Sequence, residues 1–147
     1  MRYLKSFNEG KAPDQSEIYY LSRDYLAYLI DDDYRCDVHT GYEWSHTEGH
    51  IKSKLVTNIV LGKYKNNYAD TEDFLWDNVK DYFISFIHLL SKDYNIDCFK
   101  FIGKGLQKGS AVPVLISKVR SLQQVLDDDD CDFEWLQRVT AVISKKE

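Results

Sequence analysis

Leu75-Trp-Asp-Asn-Val-Lys-Asp-Tyr-Phe-Ile-Ser-Phe-Ile-His-Leu-Leu-Ser-Lys-Asp-Tyr-Asn-Ile-Asp97 is the stretch on which the fold turns. Leu75, Val79, Phe83, Phe86, Ile87 and Leu90 recur at three- and four-residue spacing and so line one face of a helix. Asp70 or Thr71 is placed to cap it, Glu72 and Asp73 suit the positive end of its dipole, and the pattern runs to about Lys92. Asp93-Tyr94 then turns the chain straight into a strand, Ile96 to Ile102, that stops at Gly103-Lys-Gly105. The corner has a counterpart sixty residues earlier, where Leu29-Ile-Asp-Asp-Asp-Tyr-Arg-Cys-Asp37 aligns with Leu89-Leu-Ser-Lys-Asp-Tyr-Asn-Ile-Asp97. An amphipathic helix ending in Asp-Tyr and becoming a strand is thus used twice, with Tyr34 and Tyr94 sealing the two corners.

Outward from these corners the remaining elements follow. Asp14 and Glu17 form a capping-box arrangement ahead of a helix whose stripe is Ile18, Leu21, Tyr25, Tyr28 and Leu29. Asp31-Asp32-Asp33 ends it, and three carboxylates at the negative end of a helix dipole are either solvated or wanted for something else. Tyr34 to His39 reads as a strand, and so does the alternation of Leu55, Thr57, Ile59 and Leu61 within His50 to Leu61; Tyr42 to Gly49 is the long connection of the hairpin. Gly109 to Val119 is strand or turn because Pro113 interrupts it, Ser121 to Leu126 is a short helix, and Phe133 to Ile143 is a closing strand. The expectation is a leader over 1–13 and one α+β domain over 14–147, in the order α-β-β-α-β-(β or α)-β. Two helices cover one face of a mostly antiparallel sheet in a two-layer sandwich, ferredoxin-like or permuted.

At 147 residues with 44% hydrophobic and 29% charged, the chain suits one domain with a real core. A net charge of −5, with 24 acidic against 19 basic residues, argues against general binding to nucleic-acid phosphates. Cys36, Cys98 and Cys131 are odd in number and widely spaced, which fits a reducing, cytoplasmic setting rather than a disulfide framework. Phe83 to Leu90, interrupted by Ser85 and His88, is far too short to cross a bilayer.

Several constellations invite chemistry. Cys36, His39, His46 and His50 superficially resemble zinc spacing, but Cys36 and His39 fall on opposite faces of a strand, so a polar hairpin loop is the stronger reading and no cofactor is expected. Asp31, Asp32, Asp33 and Asp37, with Asp127, Asp128, Asp129, Asp130 and Asp132, make two acidic clusters. A magnesium-dependent hydrolase would need such carboxylates to converge in a pocket, whereas consecutive aspartates splay into solvent, where they form an acidic patch for a basic partner. Gly103-Lys-Gly-Leu-Gln-Lys-Gly109 lacks the phosphate-loop pattern and opens no long helix, and no nucleophile elbow occurs. Tyr19, Tyr20, Tyr25, Tyr28, Tyr42, Trp44, Tyr64 and Tyr68 are more aromatics than two helix stripes need, and tyrosine and tryptophan dominate binding hot spots.

Met1-Arg-Tyr-Leu-Lys-Ser-Phe-Asn-Glu9 resembles the starts of many small proteins of large tailed bacteriophages, some of which carry a capsid-targeting leader trimmed after a glutamate. The resemblance implies a cut after Glu9, with Phe7 standing where Leu or Ile is usual. It also implies an accessory protein, either acting on a host factor in the infected cell or packaged in the virion. The composite expectation is a non-enzymatic protein-binding module, an inhibitor or adaptor, that meets a basic protein surface through Asp31, Asp32, Asp33, Tyr42, Trp44 and Asp127 to Asp130; a structural virion component is the alternative.

Overall fold

The computed structural model describes residues 15–47, 49–65, 70–105, 112, 114–127, 133 and 135–146, with the backbone alone for 45–47, 50–52 and 70. Among them the chain runs α1 (Gln15–Tyr25), α2 (Ala27–Asp31), β1 (Tyr34–Thr47), β2 (His50–Lys65), β3 (Asp70–Glu72), α3 (Trp76–Leu90), β4 (Tyr94–Gly105), β5 (Val114–Arg120), α4 (Leu122–Asp127) and β6 (Trp135–Lys145). The fold is α+β. Its strands pair antiparallel in the order β1-β2-β6-β4-β5, with β3 on β2. The segment that read as strand or helix contains both, β5 and then α4, and the last strand inserts at the centre of the sheet. This topology does not establish a ferredoxin-like order.

One face of the sheet carries the core. Cys36, Val38, Ile59, Leu61, Phe99, Phe101, Val139, Ala141 and Ile143 alternate along their strands and meet Ile18, Leu26 and Leu29 from α1–α2, the α3 stripe, and Val125 from α4. Phe83, Phe86 and Ile87 are fully buried, and Trp76 stands edge-on to Phe101 with ring centroids 5.1 Å apart.

Three local expectations give way to tertiary contacts. The first helix breaks at Leu26, which is itself buried, and the break turns Tyr25 and Tyr28 out of the stripe into solvent. Asp70 to Glu72 do not cap α3 but form β3, in register with Lys63 to Lys65, and α3 begins at Trp76 behind an extended Leu75 with no side-chain cap. A cap is worth about 1 kcal/mol; against it stand the β3 ladder, burial of Phe74 and Trp76, and two main-chain bonds between Phe74 and Leu136 at 2.8 and 2.7 Å. Finally, Tyr42 to Gly49 is no long connection: β1 and β2 stay paired out to Thr47 and His50, and Gly49 turns with φ 79°.

That long two-stranded arm does not project straight. Glu43 lies opposite Lys54 on β2, and Lys100 opposite Thr140 on β6. In a flat sheet the pairings would hold the Glu43 and Lys100 Cα atoms roughly 25 Å apart, about six residues along and three strands across. Yet Lys100 Nζ is 3.5 Å from Glu43 Oε1, and Lys54 Nζ is 3.1 Å from Asp97 Oδ2. The arm therefore coils back across the face opposite the helices, in the sense that strand twist and the β4 irregularity at Asp97 allow. Val56 and Val142, at 2% and 0% exposure, are buried on that face, and Ser144, equally hidden, donates to Asp97 Oδ1 at 2.9 Å.

Candidate functional site

The residues singled out from the sequence are spread over the molecule. Asp31, Asp32 and Asp33 are exposed at the α2–β1 corner. Asp32 lies 3.9 Å from Lys63, and Asp33, at φ 66°, accepts the Tyr64 amide through its carbonyl at 3.0 Å. Tyr42 and Trp44 extend the row of Cys36 and Val38 onto the arm, past the helices, and are 65% exposed. Ten residues of strand separate Trp44 from Tyr34, about 30 Å of chain. Asp127 ends α4 and accepts from Gln123 Nε2 at 2.8 Å; α4 belongs to the β4 side of the sheet, with β2 and β6 between it and the Asp31–Asp33 corner. Asp128, Asp129 and Asp130 lie outside the described residues.

The metal and phosphate readings meet different surroundings. Among the described residues no group of three or more His, Cys, Asp or Glu side chains could hold a metal ion. Cys36 faces the core while His39 is exposed; the side chains of His46 and His50 lie outside the described residues. Burial pushes the Cys36 thiol up to about 12, a hydrogen bond to Ser22 acting against it and Asp37 with it. Burial also raises Cys98, opposed by Lys100 and reinforced by Glu43 and Asp97, and raises Tyr34, reinforced by Asp32 and Glu72. Burial thus favours the protonated form of both thiols, and most strongly that of Cys36. Gly103, the first glycine of the lysine loop, is there for packing: a Cβ would come within 2.3 Å of the Trp135 carbonyl and 2.8 Å of the Phe133 ring.

The helical layer carries a surface that periodicity concealed. Tyr28, 76% exposed, lies beside Tyr82 of α3, 43% exposed, with ring centroids 6.2 Å apart, and Tyr25 rests on the buried Phe86 at 5.9 Å. Asp24 and Asp31 stand four residues before and three after Tyr28, Asp81 adjoins Tyr82, Asp77 lies one turn away, and all four are exposed. Counting Tyr25 and Tyr28 into an uninterrupted stripe hid them; the signal lay in Leu26, a better core residue than either neighbour.

A cavity of about 300 Å3 opens between α1, α2 and the start of β1, lined by Tyr19, Arg23, Ile30 and Tyr34 to Asp37. Arg23 donates to the Tyr19 hydroxyl at 3.1 Å, and Arg35 Nε donates to Asp37 Oδ1 at 2.7 Å.

No protein-family model, curated protein or solved structure matches this chain. Among the described residues no helix is long and apolar enough to cross a membrane.

Proposed function

We propose that the protein is a non-enzymatic binding module that docks a basic protein segment on the tyrosine and aspartate face of α1, α2 and α3. The observation that carries this reading is the Tyr28–Tyr82 pair, two exposed rings held side by side on helices that also carry the exposed Asp24, Asp31, Asp77 and Asp81. Tyrosine supplies large contact area at little entropic cost, an arginine guanidinium stacks on its face, and the neighbouring carboxylates complete a charged hydrogen bond. Asp31 joins this face, while Tyr42 and Trp44 supply a separate aromatic pair on the arm. If the leader is the phage sequence it resembles, the partner is a host protein in an infected cell.

The test uses a fluorescein-labelled helical peptide of alternating Ala-Ala-Arg-Arg units, with lysine and glutamate counterparts, read by anisotropy. The arginine peptide should bind several-fold more tightly than the lysine one and the glutamate peptide not at all, and Tyr28→Ala with Tyr82→Ala should cost tenfold or more with the circular dichroism unchanged. Equal binding of arginine and lysine peptides, or an unaffected double variant, would sink the reading.

A further inference from the structure

β5 ends the order of strands on the side away from β1, and the direction of its main-chain groups follows from bonds elsewhere in the sheet. Opposed residues in an antiparallel ladder alternate between bonded and non-bonded pairs. The Tyr64 amide donates to the Asp33 carbonyl, which makes Arg35–Gly62 a bonded pair and turns Leu61 toward Val139 of β6. Carried on through Thr140–Lys100, the alternation turns Phe99 and Phe101 toward β5. A second route agrees: Phe74 and Leu136 exchange main-chain bonds, so Leu136 turns away from β4, and Gly103 opposite it bonds Ile116. Ile116, Lys118 and Arg120 therefore aim their main-chain groups at β4, while Leu115, Ser117 and Val119 aim theirs outward. These three are also the exposed residues of β5, with Leu115 at 65% and Val119 at 64%. Among the described residues no strand pairs with that side, and no main-chain bond beyond the β4 ladder reaches them.

We propose that this edge recognises a second copy of the chain, two β5 strands pairing antiparallel about Ser117 into one continuous sheet. An exposed apolar edge is a template for pairing, and this one is self-complementary. Centred on Ser117, Leu115 lies opposite the partner's Val119 twice over, Ser117 meets the partner's Ser117, and all three outward residues enter bonded pairs. Lys118 lies opposite the partner's Ile116 and Arg120 opposite the partner's Val114, so no cation directly faces another. Neighbouring registers are poorer. Centring on Lys118 sets Lys118 against itself, and centring on Ile116 or Leu115 brings in Pro113, which has no amide to donate. Centring on Val119 sets Leu115 against Gln123 of α4. A seven-residue edge is small beside the roughly 1,200–2,000 Å2 of a stable interface, so the dimer is a weak one that forms with concentration. Its two-fold axis is perpendicular to the sheet, so both helical layers face the same way and two tyrosine faces are offered together, a basis for avidity.

Sedimentation of the full chain over a range of concentrations tests this. The wild type should pass from monomer to dimer. Ser117→Pro removes a donor that points away from β4, so it should weaken the dimer tenfold or more with the circular dichroism unchanged. Leu115→Glu should weaken it similarly by setting a carboxylate against the partner's Val119. The register has its own test: paired Ser117 Cα atoms would lie about 5.5 Å apart, within the roughly 4.4–6.8 Å that a disulfide spans. Under mild oxidation Ser117→Cys should therefore form an intermolecular disulfide, mapped to position 117, well ahead of Leu115→Cys. A wild type that stays monomeric at millimolar concentration, or a dimer indifferent to both Ser117→Pro and Leu115→Glu, would overturn the proposal. So would a Ser117→Cys variant that crosslinks no faster than Leu115→Cys.

Discussion

The corners at Leu29–Asp37 and Leu89–Asp97 start from matching sequence and end in different jobs. Their turns agree at the level of single bonds: the Asp32 and Lys92 amides reach Leu29 and Leu89, and the Asp33 and Asp93 amides reach Ile30 and Leu90. They part immediately afterwards. Asp33 adopts a left-handed φ of 66° whereas Asp93 does not, and Tyr34 is 2% exposed against Phe74 where Tyr94 is half-buried. The first corner feeds an edge strand, the second an inner one. The two closing aspartates follow suit: Asp37 bonds Arg35 on its own strand, while Asp97 gathers Ser144 and Lys54 from two others. A local motif thus specifies a turn, and the neighbours that the strand acquires specify what the turn is for.

Substitutions in matched pairs sharpen this contrast. The largest effect belongs to the tyrosines: Tyr34→Ala should cost about 3–4 kcal/mol in urea unfolding, as for a buried aromatic, and Tyr94→Ala about half that; equal losses would erase the distinction between the corners. Next come the aspartates. Asp97→Ala strands the buried Ser144 hydroxyl and should cost about 1–3 kcal/mol, whereas Asp37→Ala, losing a solvent-facing neighbour pair, should stay within about 0.5 kcal/mol. At the turn itself the signs should oppose: Asp33→Gly relieves a left-handed residue and should gain about 0.5 kcal/mol, while Asp93→Gly only adds chain entropy and should lose a similar amount, both read as shifts in melting temperature.

A pH comparison separates the two thiols. A thiol whose pKa is raised by folding contributes stability that is complete below its unfolded value and fades as pH climbs through its folded one. For Cys36 that window runs from 9.0 to about 12. Wild-type stability should fall across it more steeply than that of Cys36→Ala, and native-state alkylation should label Cys98 well before Cys36. Matching slopes, or labelling in the reverse order, would mean that burial does not hold the Cys36 proton.

The candidate surfaces were only partly legible in the sequence. The long α3 stripe, the cores of β1, β2, β4 and β6 and both corners follow from spacing alone, because a stripe at 3.6 residues or an alternation at two is a local property. Tyr25 and Tyr28 were misassigned because one buried residue, Leu26, resets the helix phase, and its burial depends on the sheet beneath it. The β3 segment was misread as a cap for the same kind of reason: Asp70 to Glu72 have capping chemistry, but Lys63 to Lys65 are waiting beside them.

What the sequence determined by itself is a layer of amphipathic helices over a sheet, joined at two Asp-Tyr corners, since each element needs only its own residues to declare its face. Only the tertiary structure decided that the last strand takes the centre, that the β1–β2 arm coils over the outer face to join Lys54 with Asp97 and Glu43 with Lys100, and that β1 comes last in the order of the described strands. Those outcomes rest on which distant segments become neighbours, and that is settled by the burial and pairing of the whole chain at once.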